Sequence, residues 1–346
     1  MTDEYEYYPE YRDLFWDAMD RRDHDPQSAV IGMKKAIAKA REANDDRAVL
    51  EFNHWLLQTL IFKTRDIKQA LPLAMQTAVE ARKEKYADME EHICVYQDLT
   101  LTCLEADPLG HGPMIEEALD YMQTEIGNQR VQCRFCFASL RSDLAFERGD
   151  HEATITETQR TIAVAEQADD HSRPYYHAYA YVTLLRVAYA REDWDRLIEL
   201  SHIAIDYSEG DDDVIENLCT ALMGLAVGYD ATERADEADK YARRAAFEAG
   251  RTGALMDRGY YDLLRGFHAR RGNHDTVLAI SETELEEIEG LGQHYRAALA
   301  HLARCETLAI MGKLTAADRD AANSAIDSLK APDALRARLD ALFSGN

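Results

Sequence analysis

The stretch VIENLCTALMGLAVGYDATERADEADKYARRAAFEAG, which runs from Val214 to Gly250, decides the fold of this chain. Its first half carries large residues three or four positions apart, at Leu218, Leu222, Leu225 and Tyr229. That spacing puts them on one face of a helix. Its second half carries small residues at a similar spacing, at Ala238, Ala242, Ala245 and Ala249. They let a second helix pack close against the first. The stretch therefore predicts a helical hairpin, whose large apolar face requires neighbours of the same kind.

Turns like the one inside this hairpin recur along the whole chain. Each combines a glycine or polar residue, a polar residue, an aromatic or aliphatic one, and the start of a second helix. The eight occurrences are RDHDP at Arg22, RDIKQA at Arg65, PMIEEA at Pro113, GDHEAT at Gly149, EDWDRL at Glu192, ERADEA at Glu233, GNHDTV at Gly272 and GKLTAA at Gly312. Their mean spacing is roughly 41 residues, so one hairpin per turn accounts for the chain.

These residues resemble the tetratricopeptide repeat family, in which a large residue, a Leu with a small neighbour and an aromatic precede the turn, and alanines follow it. The matching residues are Leu222, Leu225, Ala226, Tyr229, Ala238, Ala242 and Ala245, with Tyr181, Leu184 and Leu197 one hairpin earlier. The pattern is degraded elsewhere, since Arg265 fills a small-residue position and residues Asp107 to Gly112 are inserted before the third turn. The spacing exceeds the usual ~34 residues and is similar to the longer repeats of kinesin light chains and Rap-type regulators.

The resemblance implies an all-α fold, a right-handed α-solenoid of about eight hairpins with a C-terminal capping helix. We expect one domain over residues 1–346, because a solenoid has no single core to outgrow. The repeats are expected near 5–43, 45–85, 87–127, 129–168, 173–209, 212–250, 254–290 and 292–329, and the cap at 332–343. The first helix is expected to begin at Tyr5.

The charge of the chain bears on its partners. It has 64 acidic against 39 basic residues and a net charge of −25, which disfavours nucleic acid. Such a surface steers a basic partner inward, or it serves solubility or adaptation to salt. The chain has only about ten lysines, most of them before Tyr86. It has neither a signal peptide pattern nor an apolar run long enough for a membrane, so a cytoplasmic location is expected.

Catalytic and metal-binding motifs are missing from the sequence. Cys133 and Cys136 form a single C-x-x-C inside a helical pattern, where they share one face, and no second ligand pair follows. Gly110-His111-Gly112 precedes a helix and could cradle a phosphate, but it lacks a P-loop lysine and a preceding strand, which favours a long loop. We therefore expect no enzyme activity, no cofactor and no metal.

The predicted function is a non-catalytic scaffold that binds a protein or peptide on the concave face of the superhelix, and the acidic charge makes a basic partner one candidate. The groove positions implied by the resemblance are Phe52, Trp55, Thr59, Phe62, Tyr179, Val182, Arg186, Tyr189, Thr220, Met223 and Val227. Packing between neighbouring repeats is the alternative role of these side chains. The alternative function is a peptide-responsive regulatory sensor of the Rap type, and an enzyme built on a helical array is a third interpretation.

Overall fold

A computed structural model describes residues 9–127, 130–210, 214–252 and 256–344. Over these residues the chain forms seventeen α-helices and no strand, so the prediction of an all-α array of hairpins is confirmed. The expected start of the first helix, Tyr5 to Tyr8, lies outside the described residues. No helix in the described ranges is both long and apolar enough to cross a lipid bilayer.

The chain divides into two compact units. Unit 1 holds the described residues up to Cys103, together with Met114–Glu125 and Gly290–Gly292. Its helices are α1 (Glu10–Arg21), α2 (Pro26–Glu42), α3 (Asp46–Gln58), α4 (Ile67–Ala81), and most of α5 (Glu91–Ala106) and α6 (Gly112–Ile126). A π-helical turn, Thr59–Lys63, extends α3, and a short 3₁₀ turn spans Glu84–Tyr86.

Unit 2 holds Leu104–Pro113, Ile126–Glu289 and the chain from Gln293 onward. Its helices are α7 (Val131–Glu147), α8 (His151–Ala165), α9 (Ser172–Ala190), α10 (Trp194–Ser208), α11 (Ile215–Ala231), α12 (Ala235–Thr252), α13 (Arg258–Arg270), α14 (His274–Glu287), α15 (His294–Ile310), α16 (Ala316–Asp327) and α17 (Asp333–Ser344). The hairpin predicted from Val214 to Gly250 is α11 with α12.

The recurring turn has a simple backbone explanation. Its first residue adopts a positive φ in six of the eight turns, at Arg65, Gly149, Glu192, Glu233, Gly272 and Gly312. In three of these turns an aspartate follows and caps the next helix, because its side chain accepts a backbone N–H in the first turn: Asp66, Asp150 and Asp193. The Asp25 side chain caps α2 in the same way, ahead of Pro26 at the first helical position.

Each unit has its own core. In unit 1 the rings of Phe15 and Phe52 stack with centroids 4.0 Å apart. In unit 2, α11 is the most buried helix, and Leu222, Leu225 and Met223 are fully inaccessible. Helix α17 buries Leu335 and Leu339 against the last hairpin, as the predicted cap requires.

Candidate functional site

Four of the predicted groove residues in unit 2 are closed to a partner. Thr220, Met223 and Val227 on α11 are fully buried, and Val182 on α9 is only 5% exposed. The reason is that α11 packs against α9, α10, α12 and α13. The face assigned to a groove from the resemblance is therefore packed against neighbouring helices, and a partner cannot reach these four side chains in this structure.

The other three predicted residues of unit 2 contact the chain itself. The Tyr179 hydroxyl donates to the Asp143 carboxylate. The Arg186 guanidinium lies 4.2 Å from the centre of the Phe146 ring and 3.7 Å from the Glu147 carboxylate. The Tyr189 hydroxyl donates to the Asp262 carbonyl at 3.4 Å. These side chains lie between neighbouring repeats, which is the packing role considered as the alternative.

Buried ion pairs hold the same region of unit 2 together. The Glu284 side chain is 0% exposed and accepts from both Arg265 and Arg296, the second at 2.6 Å. Arg296 also donates to the Met256 carbonyl at 3.0 Å. Because a buried charge is costly unless it is paired, these contacts satisfy the groups that bear them and leave no cation for a ligand.

Asp143 is a buried carboxyl that lowers the stability of this region at neutral pH. Burial raises the pKa of its carboxyl to about 6, although the hydrogen bond from Tyr179 and the charge of Arg186 act in the opposite direction. Asp143 is therefore ionised at neutral pH at a cost to the stability of the fold. Below about pH 6 the carboxyl is protonated in the folded chain, and that cost disappears.

The loop from Asp107 to Gly112, a possible phosphate cradle, is filled by its own carboxylate. Asp107 accepts from the backbone N–H of Gly110 at 2.9 Å and from that of Lys330 at 2.7 Å. A Cβ on Gly110 would lie 2.0 Å from the Asp107 carboxylate. The loop joins two segments of unit 2, and the N–H donors that could have held an anion are already used.

In unit 1 the predicted groove residues divide into two kinds. Phe52 is buried against Phe15, and Thr59 is buried with its hydroxyl donating to the Trp55 carbonyl at 2.9 Å. Trp55 is partly exposed beneath the Arg22 guanidinium, and Phe62 is 38% exposed. Only Trp55 and Phe62 of this set are accessible to a partner.

A histidine and a buried carboxylate link α3 with α5 in unit 1. His54 Nδ1 lies 2.8 Å from Asp98, which also accepts from the Gln58 amide. Burial alone would lower the pKa of His54, but the adjacent Asp98 charge and hydrogen bond outweigh that effect and raise it. The pair satisfies Asp98, which is inaccessible to water.

An open cleft of unit 1 lies between α2, α3 and α4, and the sequence analysis did not predict it. Its volume is about 740 Å³. It is lined by Lys34, Ile37, Arg41, Asn53, Leu56, Leu60, Asp66, Lys68, Gln69, Pro72, Leu73 and Gly290. The apolar floor consists of the buried side chains of Ile37, Leu56 and Leu60. We call this site the α2–α4 cleft.

Three exposed cations surround this floor. Lys34 donates to the Gln69 amide oxygen at 2.5 Å. Arg41 and Lys68 form no ion pair with any residue that the structure describes. The single carboxylate of the lining, Asp66, accepts from the N–H and side-chain amide of Gln69 as the cap of α4. The cleft therefore presents unneutralised positive charge on a chain whose net charge is −25.

Asn53 adds an unsatisfied polar atom to the cleft. The residue is only 7% exposed, and its Oδ1 is shielded from solvent and has no hydrogen-bond partner within the described part of the chain. A buried acceptor left without a donor costs about 1–3 kcal/mol. A ligand with an N–H group could offset that cost.

The backbone next to the cleft has two unusual features, a proline inside α4 and a close approach of Gly292. Pro72 lies inside α4 and has no N–H, so the Lys68 carbonyl one turn earlier lacks its helical donor. On the outer side of α4, the Lys68 N–H donates to the Leu291 carbonyl at 2.9 Å. Gly292 has a φ of +78°, and a Cβ there would lie 2.6 Å from the Lys68 nitrogen. Position 292 therefore requires a glycine, because any side chain would collide with the Lys68 backbone.

The corresponding cleft of unit 2, between α8, α9 and α10, is much smaller, with a volume of about 130 Å³. Its two cations are both neutralised: Arg191 pairs with Glu152 at 2.8 Å, and Arg196 pairs with Glu199 at 2.6 Å. The same arrangement of three helices therefore leaves a large cleft in unit 1, whose cations have no ion pair among the described residues, and a small cleft in unit 2, whose two arginines are paired.

One sequence signal pointed to the α2–α4 cleft. Seven of the ten lysines precede Tyr86, in a chain that is otherwise acidic. The lysines cluster near the N-terminus, whereas the resemblance implies a groove on the first helix of each hairpin. Two of the three cations, Arg41 and Lys34, lie on α2 and the third, Lys68, on α4, so all three are on second helices.

The described residues contain no group of three His, Cys, Asp or Glu side chains that could hold a metal ion. Cys133 and Cys136 are partly buried on α7, inside the helix as expected.

Comparison with solved structures finds proteins with a similar backbone. No family model and no curated protein matches the chain. A solved structure of a tetratricopeptide repeat protein from Parabacteroides merdae is similar to it, with a TM-score of 0.46 and 14% sequence identity, covering 84% of this chain and 98% of that one. The likeness is one of backbone arrangement, to a protein of the family that the turn and hairpin residues resemble.

Proposed function

We propose that the chain is a non-catalytic binding module that holds a segment of another protein in the α2–α4 cleft. The observation that carries this proposal is the combination of an apolar floor, three cations without an ion pair among the described residues, and a buried amide oxygen without a donor. A cleft with a few convergent polar groups over an apolar surface is the usual form of a ligand site. Its volume of about 740 Å³ fits a short peptide segment.

The proposed binding surface is the α2–α4 cleft and not the groove on the first helices. Most of the predicted groove side chains are buried or engaged within the chain, whereas Arg41 and Lys68 are exposed. Trp55 and Phe62 remain as candidates for additional contact in unit 1, because Trp55 is partly exposed and Phe62 is 38% exposed. A protein-binding scaffold is retained from the sequence prediction, with a different site.

The test is selection of peptides from a random library against the intact protein alone, followed by titration of the selected peptides against a Leu73→Trp variant. The added indole fills the cleft from its rim, where Leu73 is partly exposed. An Ala38→Trp variant is the matched control, because Ala38 is exposed on α2 and does not line the cleft. We expect selected peptides to bind the wild type and the control equally and the Leu73→Trp variant at least tenfold more weakly, about 1.4 kcal/mol. Selected peptides that bind all three proteins equally would place the site elsewhere.

A further inference from the structure

We propose that the occupant of the α2–α4 cleft is a short acidic peptide segment that carries one large aliphatic side chain. This inference rests on the proposed function and names its ligand. The net charge of the whole chain left a basic partner as one explanation beside solubility and adaptation to salt, whereas the lining of this cleft has three cations against one carboxylate.

The cations of the cleft select carboxylates. Arg41 and Lys68 have no anionic partner among the described residues, and Lys34 contacts only a neutral amide. Arg41 can hold a carboxylate with two parallel hydrogen bonds, whereas the lysines act as point charges. Acidic side chains on a partner would therefore complete contacts that the described part of the chain leaves open.

The floor selects an aliphatic side chain. Ile37, Leu56 and Leu60 form it, with Leu73 at the rim, and none of the lining residues is aromatic. A leucine-sized side chain placed there would gain the free energy of burying apolar surface, about 25 cal/mol per Å². Anionic groups at the rim and an apolar group in the centre together describe an acidic peptide with a hydrophobic anchor.

Asn53 favours a peptide over a simple anion. Its Oδ1 is an acceptor, so it needs a donor and would repel a carboxylate. A backbone N–H beside the aliphatic anchor is the donor that every peptide carries. An inorganic anion or a fatty acid supplies the negative charge without that N–H.

The acidity of the rest of the chain favours a short segment. A long polyanion such as a nucleic acid would extend beyond the three cations and meet a molecule whose net charge is −25. A peptide of a few residues can remain within the cleft, over distances comparable to the ~8–10 Å on which salt screens charges.

The experiment measures fluorescence anisotropy of a short peptide in which glutamates flank one leucine, acetylated and amidated so that only side chains carry charge. Two control peptides replace the glutamates with lysines, or the leucine with glycine. The proteins are the full chain and its Arg41→Ala, Lys68→Ala and Lys35→Ala variants. Lys35 is exposed on α2 outside the cleft, and Arg41 and Lys68 have no ion pair among described residues to lose, so all variants should fold.

We expect the glutamate–leucine peptide to bind best, with Arg41→Ala and Lys68→Ala each weakening it about tenfold and Lys35→Ala leaving it unchanged. Equal affinity in all variants, or no binding up to about 1 mM, would overturn the inference.

If the lysine peptide binds and Leu73→Trp blocks it, the ligand assignment fails and the proposed function stands. If no library peptide is blocked by Leu73→Trp, the proposed function fails too. Tighter binding of a single-stranded DNA, or self-association that Lys68→Ala abolishes, would replace the peptide by a nucleic acid or by a second copy of the chain.

Discussion

The α2–α4 cleft and its counterpart between α8, α9 and α10 have the same framework and different chemistry. Asp25 and Asp150 cap the second helices of the preceding hairpins, and Asp66 and Asp193 cap those of the following ones. Counted from these caps, the positions of Lys34, Arg41 and Lys68 in unit 1 are occupied by Gln159, Glu166 and Asp195 in unit 2. The caps and the turn are retained between the two clefts, while all three cations are replaced by neutral or acidic residues.

The difference shows that helical packing and ligand chemistry are set by separate residues. The cores use alanines and leucines in both units, but unit 2 pairs the two arginines of its cleft internally and leaves a volume of about 130 Å³ there. Unit 1 leaves a cleft of about 740 Å³ whose cations have no ion pair among the described residues. A hairpin array can therefore carry one specific site among many equivalent positions, without a change of fold.

The largest effect is expected in unit 2, from loss of a buried charge. Glu284→Ala leaves Arg265 and Arg296 buried without their shared carboxylate, and breaking such a contact costs about 3–5 kcal/mol. Urea denaturation should show this loss of the free energy of unfolding, with hydrogen exchange increased in α13 to α15. The matched change in unit 1, Lys68→Ala, should leave the unfolding free energy within about 0.5 kcal/mol. Equal losses of unfolding free energy in the two variants would contradict the view that the charges of unit 2 stabilise the fold while the cations of unit 1 do not.

Exchange of the three cations tests the comparison directly. A triple variant, Lys34→Gln, Arg41→Glu and Lys68→Asp, gives unit 1 the residues found at the corresponding positions of unit 2. We expect the affinity for the acidic peptide to fall at least a hundredfold, about 2.7 kcal/mol, because attraction becomes repulsion. The melting temperature should change little, since all three side chains are exposed. Retained affinity would show that the cations are not the recognition element.

The raised pKa of Asp143 predicts a pH-dependent weakness of unit 2. The folded-state pKa of about 6 exceeds the ordinary value of 3.8, so this group favours folding below about pH 4 and loses that contribution as the pH rises through 6. Asp143→Asn keeps an acceptor for the Tyr179 hydroxyl and removes the charge. We expect it to stabilise the chain by about 2 kcal/mol near pH 7.5 and much less near pH 4. A variant that is less stable at both pH values would contradict this assignment.

Asn53→Leu should separate stability from binding in unit 1. It removes the unsatisfied Oδ1 from a site that is 7% exposed, and we expect the free protein to gain about 1 kcal/mol. The same change removes the acceptor for the peptide N–H, so the affinity should fall severalfold. Calorimetric melting and peptide titration of one sample measure both effects. A destabilised variant, or one with unchanged affinity, would show that Asn53 has no open acceptor role.

The smallest effect concerns His54. Asp98 raises the pKa of His54 in the folded chain. The charged pair therefore stabilises unit 1 fully below the unfolded pKa of about 6.5, and this contribution disappears as the pH rises through the folded-state pKa. The free energy of unfolding of the wild type relative to His54→Gln should therefore be larger near pH 6 than near pH 8, by less than about 1 kcal/mol. Urea denaturation across that range measures it, and a difference that grows with pH would contradict the assignment.

The fold could be predicted because it depends on repeated local signals. The spacing of Leu218, Leu222 and Leu225 and the turns beginning at positions such as Gly149 appear directly in the sequence. The C-terminal cap was also predictable, since its leucines would otherwise remain exposed. The right-handed superhelix, the single domain and its repeat boundaries stay predictions.

The site could not be predicted with the same certainty, because accessibility depends on contacts between distant residues. Met223 and Val227 are on the face assigned to a groove, yet both are fully buried because α11 packs among α9, α10, α12 and α13. Arg41 and Lys68 are far apart in sequence and converge only through the packing of α2 and α4 around α3. A sequence with 64 acidic residues also gives no sign that these two cations lack an ion pair among the residues that the structure describes.

Hydrogen exchange of the full chain with and without the glutamate–leucine peptide tests the central claim most directly. The claim is that a partner segment occupies the α2–α4 cleft and leaves the corresponding cleft of unit 2 empty. At saturating peptide we predict slower exchange in α2 and in the first turns of α4, where Lys34, Arg41 and Lys68 lie, and no change in α8 or α10. Protection in α8 and α10, or equal protection in both units, would contradict the account.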